Sequence, residues 1–403
     1  MTERERGKLE FSVSLLSFSK PLSFLNKSYK ITQGENQMKK DVVKLGVVGL
    51  GRGGYVTETV IGEKKVQLRA ICDINPEKLE AARKIFEDDL KVSELLCFTD
   101  FDEFLKSDID AVYIATDAIY HVPFVEKAME AGKHVLSEIP PVNSVEEAKR
   151  LRAIVKAHPE LKYMAGENCC WWAFIESWKK MFDEGKLGDV VYAEAEYLHS
   201  EDFNKFVKPA DGHWRTFNPA IKYLTHDLGP LLYIMNDRCV SVSCMVSDVS
   251  YNPYKTLSAQ NGVALFKTAK GAIIRVLVCF GAYVGLDHNY EIIGTRGTVE
   301  TDKTKPLSDA HYFARLSDIP GTIEEKIDVP VTLKYPGEIS HPRDGHGGAD
   351  KKMLMAFIDC IVNDTVPPID VDLGIRMALP GIIADLSSQS GGTLMEIPDP
   401  EDF

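Results

Sequence analysis

The hydrophobic pattern changes character once along the chain, near residue 166. Before that point, short and nearly continuous apolar runs alternate with longer amphipathic stretches. The runs at 42–48, 66–72, 95–98, 110–115, 134–137 and 161–165 read as buried strands. The stretches 53–62, 76–88, 119–131 and 144–157 between them read as helices. Asn75-Pro76 and Asn143-Ser144 are cap-like starts, and Gly132-Lys133 is a stop. Strand alternating with helix predicts a parallel sheet with crossover helices. Past 166, a helix at 171–184 ends at Gly185. Runs rich in β-branched and aromatic residues follow at 189–198, 239–249, 261–268, 271–280, 289–294 and 297–301. KTAKGAIIR and GTRGTVE look like hairpins. This half is expected to form an open, mainly antiparallel sheet. Helices at 348–363 and 372–389 are expected to pack back toward the first half.

The first strand breaks into Gly49-x-Gly51-x-x-Gly54, with Arg52 inside the turn. Gly49 suits the tight turn, and Gly51 lets a pyrophosphate approach the backbone. Gly54 is expected to let the next helix pack against the strand. The second strand ends in Asp73, 19 residues beyond Gly54, where an acid binds adenosine ribose hydroxyls and repels a 2′-phosphate. NAD is therefore expected, in preference to NADP. The fold class follows: α/β, with an N-terminal Rossmann dinucleotide-binding domain over 41–165 and a C-terminal α+β domain over 166–403 for substrate binding and oligomerisation. Residues 1–40 read as an extension, poorly ordered or a mis-called start, because Met38 directly precedes the first strand. MTERERGK mixes acids with bases, which is wrong for an export signal, the lesser reading.

Composition narrows the partners. The chain has 403 residues, 44% hydrophobic, and a net charge of −13 with no long basic run. That argues against nucleic acid or an anionic membrane. No stretch approaches the roughly 20 apolar residues of a membrane span. Eight cysteines without a C-x-x-C pair suggest reduced thiols and a cytoplasmic protein.

Thr116 and His121 follow the fourth strand and would lie near a nicotinamide, although His121 also suits a helix residue that merely packs. Glu138-Ile139-Pro140 follows the fifth strand. Tyr197 and His199 sit two apart on a strand, so they share one face, whether in a site or in a packed sheet. Glu167 suits a buried acid, Cys169-Cys170 suit packing rather than redox work, and Trp171-Trp172 suit the core. His213-Trp214-Arg215 could place an indole and a guanidinium over a sugar, or pack on the surface. His341, Asp344 and His346 could be read as metal ligands, but no further partner is evident and the glycines around them suit a close-approach loop. No metal is expected.

GLGRGG, CDIN, ATDAIYH and an acid-x-Pro after HVLS resemble the Gfo/Idh/MocA family in order and spacing, over residues 42 to about 395. The family's acid-Lys-Pro motif carries a catalytic lysine; here Ile139 stands in its place and cannot exchange a proton. GENCCWW, EYLHSED, YLTHDLGPL and GHGGADKKM are similar to one branch, the NAD-dependent glycosidases typified by α-N-acetylgalactosaminidases, which also carry an aliphatic residue there. Leu224 and Asp227 depart from the Tyr-Pro-Thr-His-Gly pattern of that branch, so substrate identity does not transfer. The resemblance implies oxidation of a sugar at carbon 3, proton removal at carbon 2, loss of the glycosidic group, water addition and return of the hydride. It implies Tyr197 as base with His199 beside it, and Tyr223 and His226 binding sugar hydroxyls or assisting proton transfer at carbon 3. Gly49, Gly51, Arg52, Gly54, Asp73, Thr116, His121, Glu138 and Asn168 would serve the cofactor. Glu167, Trp214, Arg215 and His346 would serve the sugar or glycoside. A homodimer or homotetramer is expected. The alternatives are a net sugar or cyclitol dehydrogenase and a non-catalytic NAD-binding sensor.

Overall fold

The computed structural model describes residues 41–200, 217–250, 258–285, 287–304, 311–331 and 345–403. These residues pack as one unit built on two sheets. The first sheet holds β1 (Val43–Val48), β2 (Val66–Cys72), β3 (Leu96–Phe98), β4 (Ala111–Ile114), β5 (His134–Ser137) and β6 (Tyr163–Ala165). They run in the order β3-β2-β1-β4-β5-β6, every pair parallel. The crossover helices are α1 (Arg52–Glu58), α2 (Pro76–Lys84), α3 (Phe101–Leu105), α4 (His121–Glu130) and α5 (Val145–Ala157). The strands read as unbroken apolar runs because helices cover both faces. The expected caps form: Asn75 accepts from the amides of Glu77 and Lys78, and Ser144 from that of Glu147.

The second sheet has nine strands among the described residues: β7 (Val190–Leu198), β8 (Cys239–Val246), β9 (Asn261–Thr268), β10 (Ile273–Cys279), β11 (Asp287–Gly294), β12 (Gly297–Thr301), β13 (His311–Leu316), β14 (Ile327–Pro330) and β15 (Met395–Glu396). Both expected hairpins are present as antiparallel pairs, β9–β10 and β11–β12. Only the β7–β10 pair is parallel. The helices α6 (Ala173–Asp183), α7 (Thr225–Met235), α8 (Ala349–Asn363) and α9 (Val371–Gln389) complete the unit. As expected, the last two reach the first sheet: α8 packs on α1, β1 and β5, and α9 on α5 and β6.

Several elements differ from the expectation. The helix expected at 53–62 ends at Glu58, and the one at 76–88 changes to a π turn at Ile85–Asp89. The whole of α7 escaped notice, because it is buried on nearly every side and shows no apolar stripe. α3, β14 and β15 are too short to show a period, and β13, whose burial alternates, was not expected either.

Candidate active site

Strand order reverses between β1 and β4, so their carboxyl ends frame the crevice where an open α/β sheet binds its ligand. Gly49 closes the turn after β1 with φ +87°, and an added Cβ would lie 2.3 Å from the Ala115 carbonyl oxygen beyond β4. Around Gly51 an added Cβ would meet nothing within 4 Å, so the backbone there is open to a phosphate. The Asp73 carboxylate accepts from the amides of Leu50 and Asn75, each at 2.9 Å, tying the glycine turn to the end of β2. This arrangement fits NAD. One detail is corrected: close helix–strand packing belongs to Gly53, whose Cβ would meet Ala115 Cβ at 2.9 Å and Val47 Cγ1 at 3.0 Å. Gly54 has only Leu50 Cβ, at 3.9 Å. Gly51 has φ −70°, outside the left-handed region that favours glycine. Gly51→Ala is therefore expected to fold normally yet bind NAD more than about tenfold more weakly, checked by titration and a urea midpoint.

The neighbouring cofactor candidates form an internal network. Arg52 holds both oxygens of Asp350 at 2.8 and 2.6 Å and reaches Glu138 Oε1 at 3.2 Å. Tyr113 donates to the same Glu138 oxygen at 2.5 Å. Asn168 donates to Asp350 at 2.9 Å, and His346 Nδ1 lies 3.1 Å from Asp350 Oδ2. Burial alone would raise the Asp350 carboxyl, but the Arg52 charge and the His346 and Arg52 hydrogen bonds outweigh it and hold it well below the usual range. Asn168 is thus a buried prop for Asp350 rather than a cofactor contact, because its amide is committed there and it is closed to solvent. His121 is corrected in the same way. Its ring is buried, with Nδ1 2.9 Å from the Pro140 carbonyl and Nε2 3.1 Å from that of Thr116. Burial pushes its pKa down, and a neutral ring carries one N–H, so it donates to one of the two carbonyls while packing against the other.

The second cluster lies on β7, α7 and β11. Two local pairs, Tyr197 with His199 and Tyr223 with His226, are gathered around the Tyr197 phenol. The Tyr197 ring lies 5.9 Å from His199, 6.3 Å from Tyr223 and 5.5 Å from His226. His288, which the sequence reading missed, stacks on Tyr197 at 4.3 Å. A lone histidine in a strand gives no local signal. The only clue was its register, directly opposite Tyr197 across the β7–β11 pair.

Glu167 is corrected from substrate contact to support, because it is wholly buried. Its Oε1 accepts from His226 Nδ1 at 2.7 Å and from the Cys169 amide at 3.2 Å. That bond fixes the imidazole with Nδ1 as donor and leaves Nε2 for chemistry. Cys169 Sγ is 3.2 Å from the same Nδ1, so Glu167, Cys169 and His226 are the one set among the described residues with metal-ligand spacing. Burial pushes the Cys169 and Cys170 thiols up, which keeps them protonated, so both are packing groups. Trp172 likewise packs, donating to the His346 carbonyl at 3.2 Å. Ile139 is buried in the apolar core directly after Glu138. Trp214 and Arg215, with His213, His341 and Asp344, lie outside the described residues.

The model for the oxidoreductase family NAD-binding Rossmann fold matches residues 43–166, and that for the GFO/IDH/MocA C-terminal domain matches 175–300. The chain is similar to a glycosyl hydrolase family 109 protein of Solibacter usitatus, 26% identical over 99% of this chain and 97% of the relative. It is 27% identical to an α-N-acetylgalactosaminidase of Bacteroides fragilis, over 89% of this chain and 92% of the relative. Levoglucosan dehydrogenase in complex with NADH and levoglucosan superposes with a TM-score of 0.74 at 18% identity, covering 88% of this chain and 99% of that one. Scyllo-inositol dehydrogenase from Lactobacillus casei, with NAD(H) and scyllo-inositol, gives 0.69 at 21%, with the same coverage. These two likenesses concern the fold.

Proposed function

Since the chain belongs to the Gfo/Idh/MocA family and carries its NAD-binding domain, we propose that it is an NAD-dependent glycosidase that cleaves a glycosidic bond without net oxidation. The observation that carries this reading is Ile139. A buried aliphatic side chain stands where an alcohol dehydrogenase of the family needs an amine, while phenol and imidazole groups gather around Tyr197. Full-length likeness to glycosyl hydrolase family 109 proteins supports the same choice.

NAD, which Gly49, Gly51 and Asp73 would hold, would supply reversible hydride acceptance at a ring carbon of the sugar. The protein must supply the rest. Tyr197 removes the proton that the neighbouring ketone acidifies. His226, oriented by Glu167, exchanges the hydroxyl proton at the oxidised carbon, with Tyr223 beside it at 5.2 Å. His199 lies against Phe280 at the same phenol, and this reading gives it the role of acid for the leaving group. His346, exposed beside Asp350, is given a sugar-binding role in this reading. Thr116 stands at the end of β4, beside the nicotinamide half of the crevice.

A homodimer or homotetramer fits the outer sheet face, where Met245, Val263, Leu265 and Ile273 are exposed on neighbouring strands. Eight unpaired cysteines fit a reducing cytoplasm.

The test is a panel of α- and β-nitrophenyl glycosides, following nitrophenol and NADH absorbance together. Nitrophenol without net NADH is expected. NADH accumulating without nitrophenol would make the protein a sugar or cyclitol dehydrogenase instead. Glu167→Gln is expected to lower kcat about ten- to a hundredfold with NAD affinity unchanged, because a hydrogen bond to a charged group contributes about 1.5–3 kcal/mol. Steady-state kinetics beside an NAD titration checks it.

A further inference from the structure

We propose that Asp227 and His288 form a second carboxylate–imidazole pair that fixes the ring of Tyr197, making both of them positioning residues. The proposal rests on the reading of Tyr197 as a proton-transfer group.

His226 and Asp227 are consecutive on the first turn of α7, yet each serves a different imidazole pair. His226 is held by Glu167; Asp227 holds His288, with Oδ1 3.2 Å from Nδ1. His288 comes from β11, directly opposite Tyr197 of β7. Side chains opposed across an antiparallel pair stand on one face and touch. Here the rings stack at 4.3 Å with 25° between their planes. The other sides of the phenol are closed edge-on by Phe280 at 4.8 Å and by His226 at 5.5 Å.

A phenylalanine at 288 would stack as well, so stacking does not explain the imidazole. The tether does. Asp227 is wholly buried, and its Oδ2 has no hydrogen-bond partner among the described residues. Its link to His288 sets the tilt of that ring, and the ring sets the direction of the Tyr197 hydroxyl. Burial, then the nearby Glu167 charge, pushes the Asp227 carboxyl up, and burial pushes the His288 imidazole down. Such control matters because displacing a reacting group by about 1 Å costs about a hundredfold in rate.

The experiment uses the full chain with NAD and two variants. Asp227→Asn keeps the shape but not the carboxyl; His288→Phe keeps the stack but not the tether. Each is expected to lower kcat by at least about tenfold, with KM within about threefold of wild type. The double variant is expected to lose no more than the worse single one, since the two act as a unit. NAD titration and a urea midpoint are run beside the kinetics. Wild-type kcat in both variants, or losses that merely follow the unfolding midpoint, overturn the proposal while leaving the glycosidase reading intact. A wild-type protein that releases no nitrophenol from the panel overturns that reading and this proposal with it.

Discussion

Tyr197→Phe is expected to lower kcat for glycoside cleavage by about 10²–10⁴-fold, the contribution of a positioned acid–base group. The substitution removes one oxygen and leaves the ring. Its stack on His288 and its edge contact with Phe280 therefore remain. Stability is expected to change by no more than one hydrogen bond contributes, about 0.5–1.5 kcal/mol. NAD affinity is expected to stay at the wild-type value, because the glycine turn belongs to the other sheet. A fall in kcat with an unchanged NAD titration and a near-native urea midpoint assigns the loss to chemistry. A fall in all three together would make Tyr197 a packing residue.

Asp350→Ala is expected to be the most destabilising single change among the residues around the cofactor loop. Asp350 is closed to solvent and binds Arg52, Asn168 and His346. Removing one partner of a buried ion pair costs about 3–5 kcal/mol, and the 30% exposure of the Arg52 side chain discounts this toward the lower end. Because Arg52 lies in the glycine turn, NAD affinity is expected to fall too. The same carboxylate makes stability depend on pH. Its folded pKa lies below the unfolded value of about 3.9, so its contribution is fully present above that value. It is lost as pH falls through the folded pKa. Urea midpoints measured between neutral and acid pH are expected to fall more steeply for the wild type than for Asp350→Ala in that window.

Local chemistry made half of this site legible in the sequence. Gly49, Gly51 and Asp73 could be read because a tight turn and an acid at a strand end leave marks within a few dozen residues. Tyr197, His199, Tyr223 and His226 could be read because their tetrapeptides resemble a family, although nothing local said that they converge. The supports could not be read. Arg52 and Asp350 are 298 residues apart, so their pairing exists only in the folded chain. Asp227 looked like a departure from a motif, and the structure gives it a partner in His288. The resemblance of GENCCWW points Glu167 at the substrate, yet its side chain turns inward to His226. In the fold, the regular strands were found, while α7 was hidden by burial on nearly every side, which erases the periodicity that marks a helix.

The account stands or falls on whether the sugar loses and regains a proton on carbon while its glycosidic bond is cleaved. The direct measurement is mass spectrometry of the sugar released in deuterium oxide, after its hydroxyl deuterons have been exchanged back to hydrogen. The account predicts one solvent-derived deuterium on the carbon next to the oxidised one, absent from unreacted substrate at early times. Sugar released with no carbon-bound deuterium would mean direct hydrolysis, and would contradict the roles given to NAD and Tyr197.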